Sequence, residues 1–402
     1  MGDWGGIRTY LGYTAFFFIL LSFCSFLGII GMKEQRKHDE NIRKIPIRIH
    51  VNGIRGKTTV TRLIGAGLTE AGFKTLTKTT GKAARIIFWD GKEISIRRKG
   101  KPNIREQLKI VEIAKDNNVD ALVIECMAVQ PELQKVCEHK LIHSTIGVIT
   151  NIRNDHLDVM GPTIDDVARN ICNTIPKNGI VVTGEKKYIQ TIQKYAKKNG
   201  AKVVYVYDEL DDEIVRKFSY LNFKENVALA LKVCELCGVK KEIALNGMLK
   251  AKPDPGVLRI YQLGKMIFIN AFGVNDKDST TAVYNELKNR GYFDGKKIYG
   301  LFHARPDRIS RTVDFGRAMV KEMYFDEIIL VGMNTNLFII EAIKSGYQRN
   351  KIIDFGYIPG EELFKKIEEI VKEGIVFACG NMVGEIPMKL LSIIEERRRL
   401  RP

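Results

Sequence analysis

The sequence predicts an α/β protein in three parts. These are an N-terminal transmembrane helix, a central P-loop-type domain on a mostly parallel sheet, and a smaller Rossmann-like C-terminal domain. Three observations carry that prediction. From Thr9 to Met32 no residue is charged, which is enough helix to cross a hydrocarbon core of about 30 Å. Beyond it, apolar runs of strand length alternate with helical patterns. Lys252-Pro-Asp-Pro-Gly256 then interrupts the alternation and divides the chain at 1–44, 45–255 and 256–402.

The anchor comes first. Arg8 and Asp3 nearly cancel before it, whereas Lys33, Arg36, Lys37, Arg43 and Lys44 follow it. The positive-inside rule therefore puts the N-terminus outside and everything after Lys33 in the cytoplasm. A cleaved signal peptide fits less well, because the apolar stretch is overlong and no Ala-x-Ala site follows.

Ile47, Ile49 and Val51 alternate with polar residues as a short strand does, and Gly53-Ile-Arg-Gly56-Lys57-Thr58 follows. A helical pattern runs from Lys57 to Glu70 and is closed by Gly72. Strand, glycine loop and helix N-terminus together form an anion cradle, to which Lys57 adds a mobile charge and Thr58 a hydroxyl for Mg²⁺. Only the shorter G-x-x-G-K-T survives, since Val51 stands at the usual first glycine.

Phe73–Thr77 reads as the next strand. Arg85–Trp89 and Glu93–Arg97, joined across Asp90-Gly91, read as a hairpin with a type I′ turn. The basic run Arg97, Arg98, Lys99, Lys101, Arg105 and Lys109 is either a solvated face or a track for an acidic chain or lipid head groups. Helix Ile104–Asn117, strands Ala121–Cys126 and Thr145–Asn151, and a helix from Thr163 to Thr174 with a capping box at Thr163/Asp166 come next. After the break follow strand Met266–Asn270, helix Ser279–Arg290, and strands Lys297–Phe302, Glu327–Val331 and Ile375–Ala378. The tail Glu395-Glu-Arg-Arg-Arg399 reads as a frayed helix end.

Composition narrows the partners. A net charge of +17, from 64 basic and 47 acidic residues, favours acidic ligands, while no aromatic-interleaved basic segment or zinc-finger spacing points to nucleic acid. Seven scattered cysteines do not make a disulfide framework. Cys234-Glu-Leu-Cys237 has redox or metal spacing, yet it falls in the helical stretch Asn226–Cys237 with no second Cys/His pair nearby, which favours a packing role.

Two polar stretches lie at strand ends, where open α/β sheets bind ligands. Glu125 offers a carboxylate opposite Thr58, as a metal ligand or as a cap for the following helix. Thr150-Asn151-Ile-Arg153-Asn154-Asp155-His156-Leu-Asp158 is too polar for packing alone, and His156 between aspartates is a metal or phosphate candidate.

These residues, with Asn222-x-x-x-Asn226-x-x-x-Ala230, occur in the order seen in the Mur ligase superfamily, which includes folylpolyglutamate synthetases. Val51-Asn-Gly-x-Arg-Gly-Lys57, Ile124-Glu-Cys-Met-Ala128 and Asn173-Thr-Ile-Pro176 resemble, more narrowly, the ligase subunits of bacterial poly-γ-glutamate (capsule) synthases. The resemblance implies ATP held by Gly53, Arg55, Gly56, Lys57, Thr58 and Thr59, with Asn226 on adenine. It implies Mg²⁺ or Mn²⁺ on Thr58 and Glu125, and a second ion on His156. Arg259 would reach the phosphates, and Asn275 and Asp276 would contact nucleotide. Lys57, His156 and Arg259 are the catalytic candidates. Lys82, Arg85, Arg105, His303, Arg305 and Arg308 are the charges assigned to a polyanionic substrate, Arg305-Pro-Asp-Arg308 being either a carboxylate grip or a surface ion-pair cluster. Two departures stand out. The carbamylated lysine of many Mur ligases has Ile171 near its place, with no lysine until Lys177, and the UDP-gripping domain of peptidoglycan ligases is missing.

The expected reaction is phosphorylation of a terminal carboxylate by ATP and attack by an amine, joining glutamate to a growing poly-γ-glutamate chain. Folate polyglutamylation and a membrane-tethered P-loop ATPase switch are the alternatives. One helix cannot form a conduit for a polymer, so other membrane subunits are expected partners; a homo-oligomer is compatible with the sequence.

Overall fold

The computed structural model describes residues 4–80, 84–98, 100, 102–155, 157–207, 210–218, 220, 222–253, 258–274 and 276–400. Lys82, His156, Asn275 and most of the Lys252–Gly256 break lie outside the described residues. The chain divides into two compact units, Met1–Lys217 with Asn222–Lys252, and Phe218–Leu221 with Pro253–Pro402.

The first unit begins with α1, a single helix from Trp4 to Arg43. Its side chains from Phe16 to Met32 are exposed, and the helix is long and apolar enough to cross a membrane. Its last turns are of another kind. Ile42, with Ile45 just beyond, is buried among Leu76, Leu122 and Ile124.

Eight strands form the sheet of this unit: β1 (Ile47–Asn52), β2 (Thr75–Lys78), β3 (Arg85–Ile87), β4 (Glu93–Ser95), β5 (Ala121–Glu125), β6 (Ile146–Ile149), β7 (Ile180–Thr183) and β8 (Lys202–Tyr205). Their order is β4-β3-β2-β5-β1-β6-β7-β8, parallel apart from β3 and β4. The central strands are buried on both faces, as parallel strands covered by helices must be. Leu76 joins the cluster of α1 and α3 (Glu106–Asp116), while Thr77 beside it faces Gly65 of α2 (Lys57–Glu70). Successive strand residues point to opposite faces, so α1 and α3 cover one face and α2 the other. Helices Lys224–Leu236 and Lys241–Lys250 pack on α2.

The second unit has six strands: β9 (Arg259–Leu263), β10 (Met266–Asn270), β11 (Ile298–Ala304), β12 (Glu327–Gly332), β13 (Ile352–Asp354) and β14 (Gly374–Cys379). The order is β13-β12-β11-β14-β10-β9, with only β9 antiparallel. The α/β class and the mostly parallel sheets agree with expectation.

Several local readings need correction. The hairpin turn is not type I′, which needs positive φ at both central residues. Here only Gly91 has it (φ 82°), and Phe88 N donates to Lys92 O at 2.9 Å, closing a three-residue loop of the type I plus bulge kind. The strand expected from Phe73 begins at Thr75, and the helix expected from Ile104 begins at Glu106. The helix after Thr163 is α-helical only from Ile164 to Ile171, then tightens to a 3₁₀ turn over Cys172–Thr174; its capping box is present. The tail is not a frayed end, because helix Glu385–Leu400 continues through it and Glu395 accepts a bond from Tyr261. Cys234 is buried and Cys237 half-buried, both as free thiols.

Candidate active site

The loop between β1 and α2 has a backbone only glycine tolerates at two points. Gly53 sits at φ 132°, where a Cβ would meet Thr150 Oγ1 at 2.1 Å, and Gly56 at φ 80°, where it would meet Asn226 Oδ1 at 2.5 Å. Gly56 is the N-cap of α2 and offers no side-chain cap, so the first-turn N–H groups have no intrahelical partner. Thr59 lies in that first turn.

The segment after β6 holds the loop in place. Asn151 O accepts from Ile54 N at 3.1 Å, and Asn151 Oδ1 from Arg55 N at 3.0 Å. Thr150 Oγ1 and Asn151 Nδ2 both donate to Arg55 O, at 2.6 and 2.9 Å. Arg55 pairs with Asp155 at 2.9 Å. Much of the polarity read at this strand end therefore supports the loop backbone. That role was missed, although a carboxamide directly after a buried strand was its signal.

Lys57 Nζ donates to the carbonyls of Gly53 (2.7 Å) and Ile54 (3.2 Å). Burial pushes its pKa down, against the pull of the Glu125 carboxylate. Thr58 Oγ1 donates to Glu125 at 3.0 and 3.1 Å, and Thr80 N donates to Glu125 Oε2 at 2.7 Å. Glu125 is thus no cap for the following helix, Pro131–Val136, whose N-cap is Gln130. A hydroxyl and a carboxylate together are a hard oxygen donor set, which suits Mg²⁺ or Mn²⁺ with phosphate oxygens completing the shell. Among the described residues no group of three or more His, Cys, Asp and Glu forms a cage for a softer ion.

Two buried charge clusters support this region without a local sequence signal. Lys78, fully buried at the end of β2, lies 2.9 Å from Glu106, which also accepts two bonds from Arg98. Burial works against the Glu106 carboxylate, but Arg98 and Lys78 outweigh it and hold its pKa low. Arg98 is therefore not simply part of a solvated face; Arg105, seven residues on, is exposed. Arg85 lies on β3, half-buried, across from Ser95.

The second cluster involves a π-helix, Cys137–Ile142. Its Glu138 accepts from His50 Nδ1 at 2.8 Å and from the N–H and hydroxyl of Ser144. Burial alone would lower the imidazole pKa, but Cys126 and Glu138 outweigh it and raise it to about 10. His50 lies three residues before Gly53.

The remaining candidates belong to the C-terminal unit. Arg259 opens β9 and donates to Glu395 at 3.0 Å. Asp276 is the N-cap of helix Lys277–Asn289, accepting from Ser279 N at 2.9 Å. At the end of β11, His303 Nδ1 donates to Asn381 O at 2.9 Å. Burial pushes this imidazole pKa down, which favours the neutral ring with Nε2 as acceptor. Arg305 grips Asp307 through two bonds, at 2.8 and 2.6 Å, and Arg308 is 3.8 Å from the same carboxylate. An Arg305–Asp307 ion pair is therefore part of this motif.

Residues 51–249 match the family described as Mur ligase middle domain, and residues 257–397 match the poly-gamma-glutamate synthase CapB C-terminal domain. The chain is 38% identical over 391 residues to the capsule biosynthesis protein CapB of Bacillus anthracis, covering 94% of this chain and 83% of that protein. It is 37% identical to the PGA synthase CapB of Bacillus subtilis (strain 168), covering 91% and 95%. Among solved structures, E. coli FolC with DHPP and ADP is similar in fold, with a TM-score of 0.68 at 14% identity over 90% of this chain and 92% of that one. The folylpolyglutamate synthase/dihydrofolate synthase of Yersinia pestis, complexed with AMPPNP and Mn, gives 0.68 at 16% identity over 90% and 92%.

Proposed function

The chain belongs to the poly-γ-glutamate synthase CapB family, whose central part is a Mur ligase middle domain, and from that membership we infer that it is an ATP-dependent ligase of poly-γ-glutamate synthesis. The observation that carries the chemistry is the Thr58–Glu125 pair beside the Gly53–Lys57 loop. A carboxylate is a poor electrophile because oxide is a prohibitive leaving group. Transfer of the γ-phosphoryl group of ATP to that carboxylate gives an acyl phosphate, and attack by an amine expels phosphate and forms the amide. Two anions must meet in the first step, so the protein's work is charge neutralisation and positioning.

In this reading the loop amides and Lys57 receive the β- and γ-phosphates, the ammonium turning outward from the Gly53 and Ile54 carbonyls. Thr58 and Glu125 hold the Mg²⁺ or Mn²⁺, which screens phosphate charge when bound. Asn226, beside Gly56, contacts the nucleoside. The resemblance assigns a second ion to His156, phosphate contact to Arg259, and nucleotide contact to Asn275 and Asp276; the basic surface suits a polyanionic substrate, for which Lys82, Arg85, Arg105, His303, Arg305 and Arg308 are the candidate charges.

The topology belongs to the same proposal. Helix α1 spans the membrane with the N-terminus outside, and further membrane subunits carry the polymer out. ATP turnover in membranes, with and without glutamate, tests the whole reading. Glutamate-stimulated ADP release and products spaced by one glutamate residue are expected. Turnover indifferent to glutamate would instead fit a P-loop switch, and extension of a folate acceptor alone would fit folate polyglutamylation.

A further inference from the structure

Helix α1 runs without interruption from its apolar stretch into the folded unit. The uncharged stretch ends at Met32, and Gln35 already touches the domain, its Nε2 donating to Lys140 O at 3.2 Å. One turn on, buried His38 contacts Leu141 O at 2.7 Å. Three residues of helix rise about 4.5 Å. The polar layer on each side of the hydrocarbon core is about 5–8 Å thick. With α1 crossing the membrane, the π-helix Cys137–Ile142 would lie within the depth of the lipid head groups.

Exposed cations predominate there over the exposed carboxylates Glu34, Glu40 and Glu132. Lys37 and Asp39 are already paired, with Glu112 and His143. Lys33, Arg36, Lys135, Lys140 and Lys177 are exposed and have no carboxylate partner among the described residues. Burial, helped by Lys177, His143 and Lys135, pushes the His139 pKa down against the pull of Glu138. We propose that this face of the first unit, centred on the π-helix and Lys135, Lys140 and Lys177, docks on anionic phospholipid head groups. The proposal rests on α1 spanning the membrane. Juxtamembrane lysines each strengthen attachment to an acidic leaflet by about fivefold.

The test uses the full-length chain, with Cys24→Ser and Cys237→Ser, in vesicles of phosphatidylcholine with or without phosphatidylglycerol. A fluorophore is placed by Val136→Cys, an exposed position beside Lys135, or by Lys241→Cys, on the helix packed against α2, which covers the other sheet face. A quencher is attached to lipid head groups. Strong quenching at 136 but not at 241 is expected, larger with phosphatidylglycerol. The lipid-dependent part should fall at least fivefold in Lys135→Glu/Lys140→Glu/Lys177→Glu, whose fold is checked by circular dichroism.

Each contrary outcome is distinct. Protein stripped from vesicles by carbonate wash would overturn the anchor itself. Retained protein without quenching at 136 would overturn the docking face alone. Equal quenching in both lipids, or no change on charge reversal, would overturn recognition of lipid charge.

Discussion

Each unit ends one of its central strands in a polar cluster, and the two clusters are built in opposite ways. Beyond β1, Thr150, Asn151 and Asp155 fix the loop around Arg55, while Lys57 and Thr58 open the helix that follows. Beyond β11, Arg305 is taken up by Asp307, and His303 by the Asn381 carbonyl. Charged residues past a strand end are thus weak evidence for a ligand site by themselves. The stronger sign is a glycine loop whose main chain is held by its neighbours, as Asn151 holds the N–H groups of Ile54 and Arg55, and which leads straight into a helix N-terminus.

The sharpest break of this contrast lies beneath the loop. Glu138→Gln leaves His50 without its buried counter-charge and should cost about 3–5 kcal/mol in urea unfolding. Its pH dependence has a defined sign. Burial raises the Glu138 pKa, but His50 and Ser144 outweigh it and hold it below its ordinary 4.5, so its contribution exists above that value and fades as pH falls. The His50 contribution is complete below 6.5 and is lost as pH rises through about 10. The advantage of the natural protein over the variant should be greatest between those two lower values and shrink toward alkaline pH.

Next in size is Lys57→Ala. Its bonds are to its own loop, so stability should change little while glutamate-dependent ADP release falls about 10²–10³-fold. Glu125→Gln keeps an oxygen for Thr80 N–H yet loses the charge. The Mg²⁺ concentration for half-maximal turnover should rise about 10–100-fold. Arg305→Glu is the smallest perturbation. Because the residue is engaged with partly exposed Asp307, glutamate incorporation should fall at most about fivefold with ATP binding unchanged. A much larger loss would erase the contrast between the two clusters.

Local signals carried most of the fold. The bounds of α2, Lys57–Glu70, follow from the glycines and the helical period, and the Thr163/Asp166 capping box from spacing alone. Pairings across long stretches of chain left no such trace. His50 and Glu138 are 88 residues apart, and His50 looks like one more polar position in an alternating strand. Lys78 likewise reads as an ordinary charged residue until Glu106 is brought beside it. The turn at Asp90-Gly91 was misread because that dipeptide suits both loop lengths, and the Phe88–Lys92 closure decides between them.

The pairing of Arg259 with Glu395 makes the carboxy-terminal end of the chain less dispensable than its composition suggests. Glu395 also receives the Tyr261 hydroxyl, so one late carboxylate clasps two residues of β9. Deleting residues from 395 onward would set the Arg259 side chain loose, and activity of the shortened protein measured beside Glu395→Gln would separate that effect from loss of the helix. An affinity handle grafted in place of the turns from Glu395 onward would therefore cost the Arg259 contact as well.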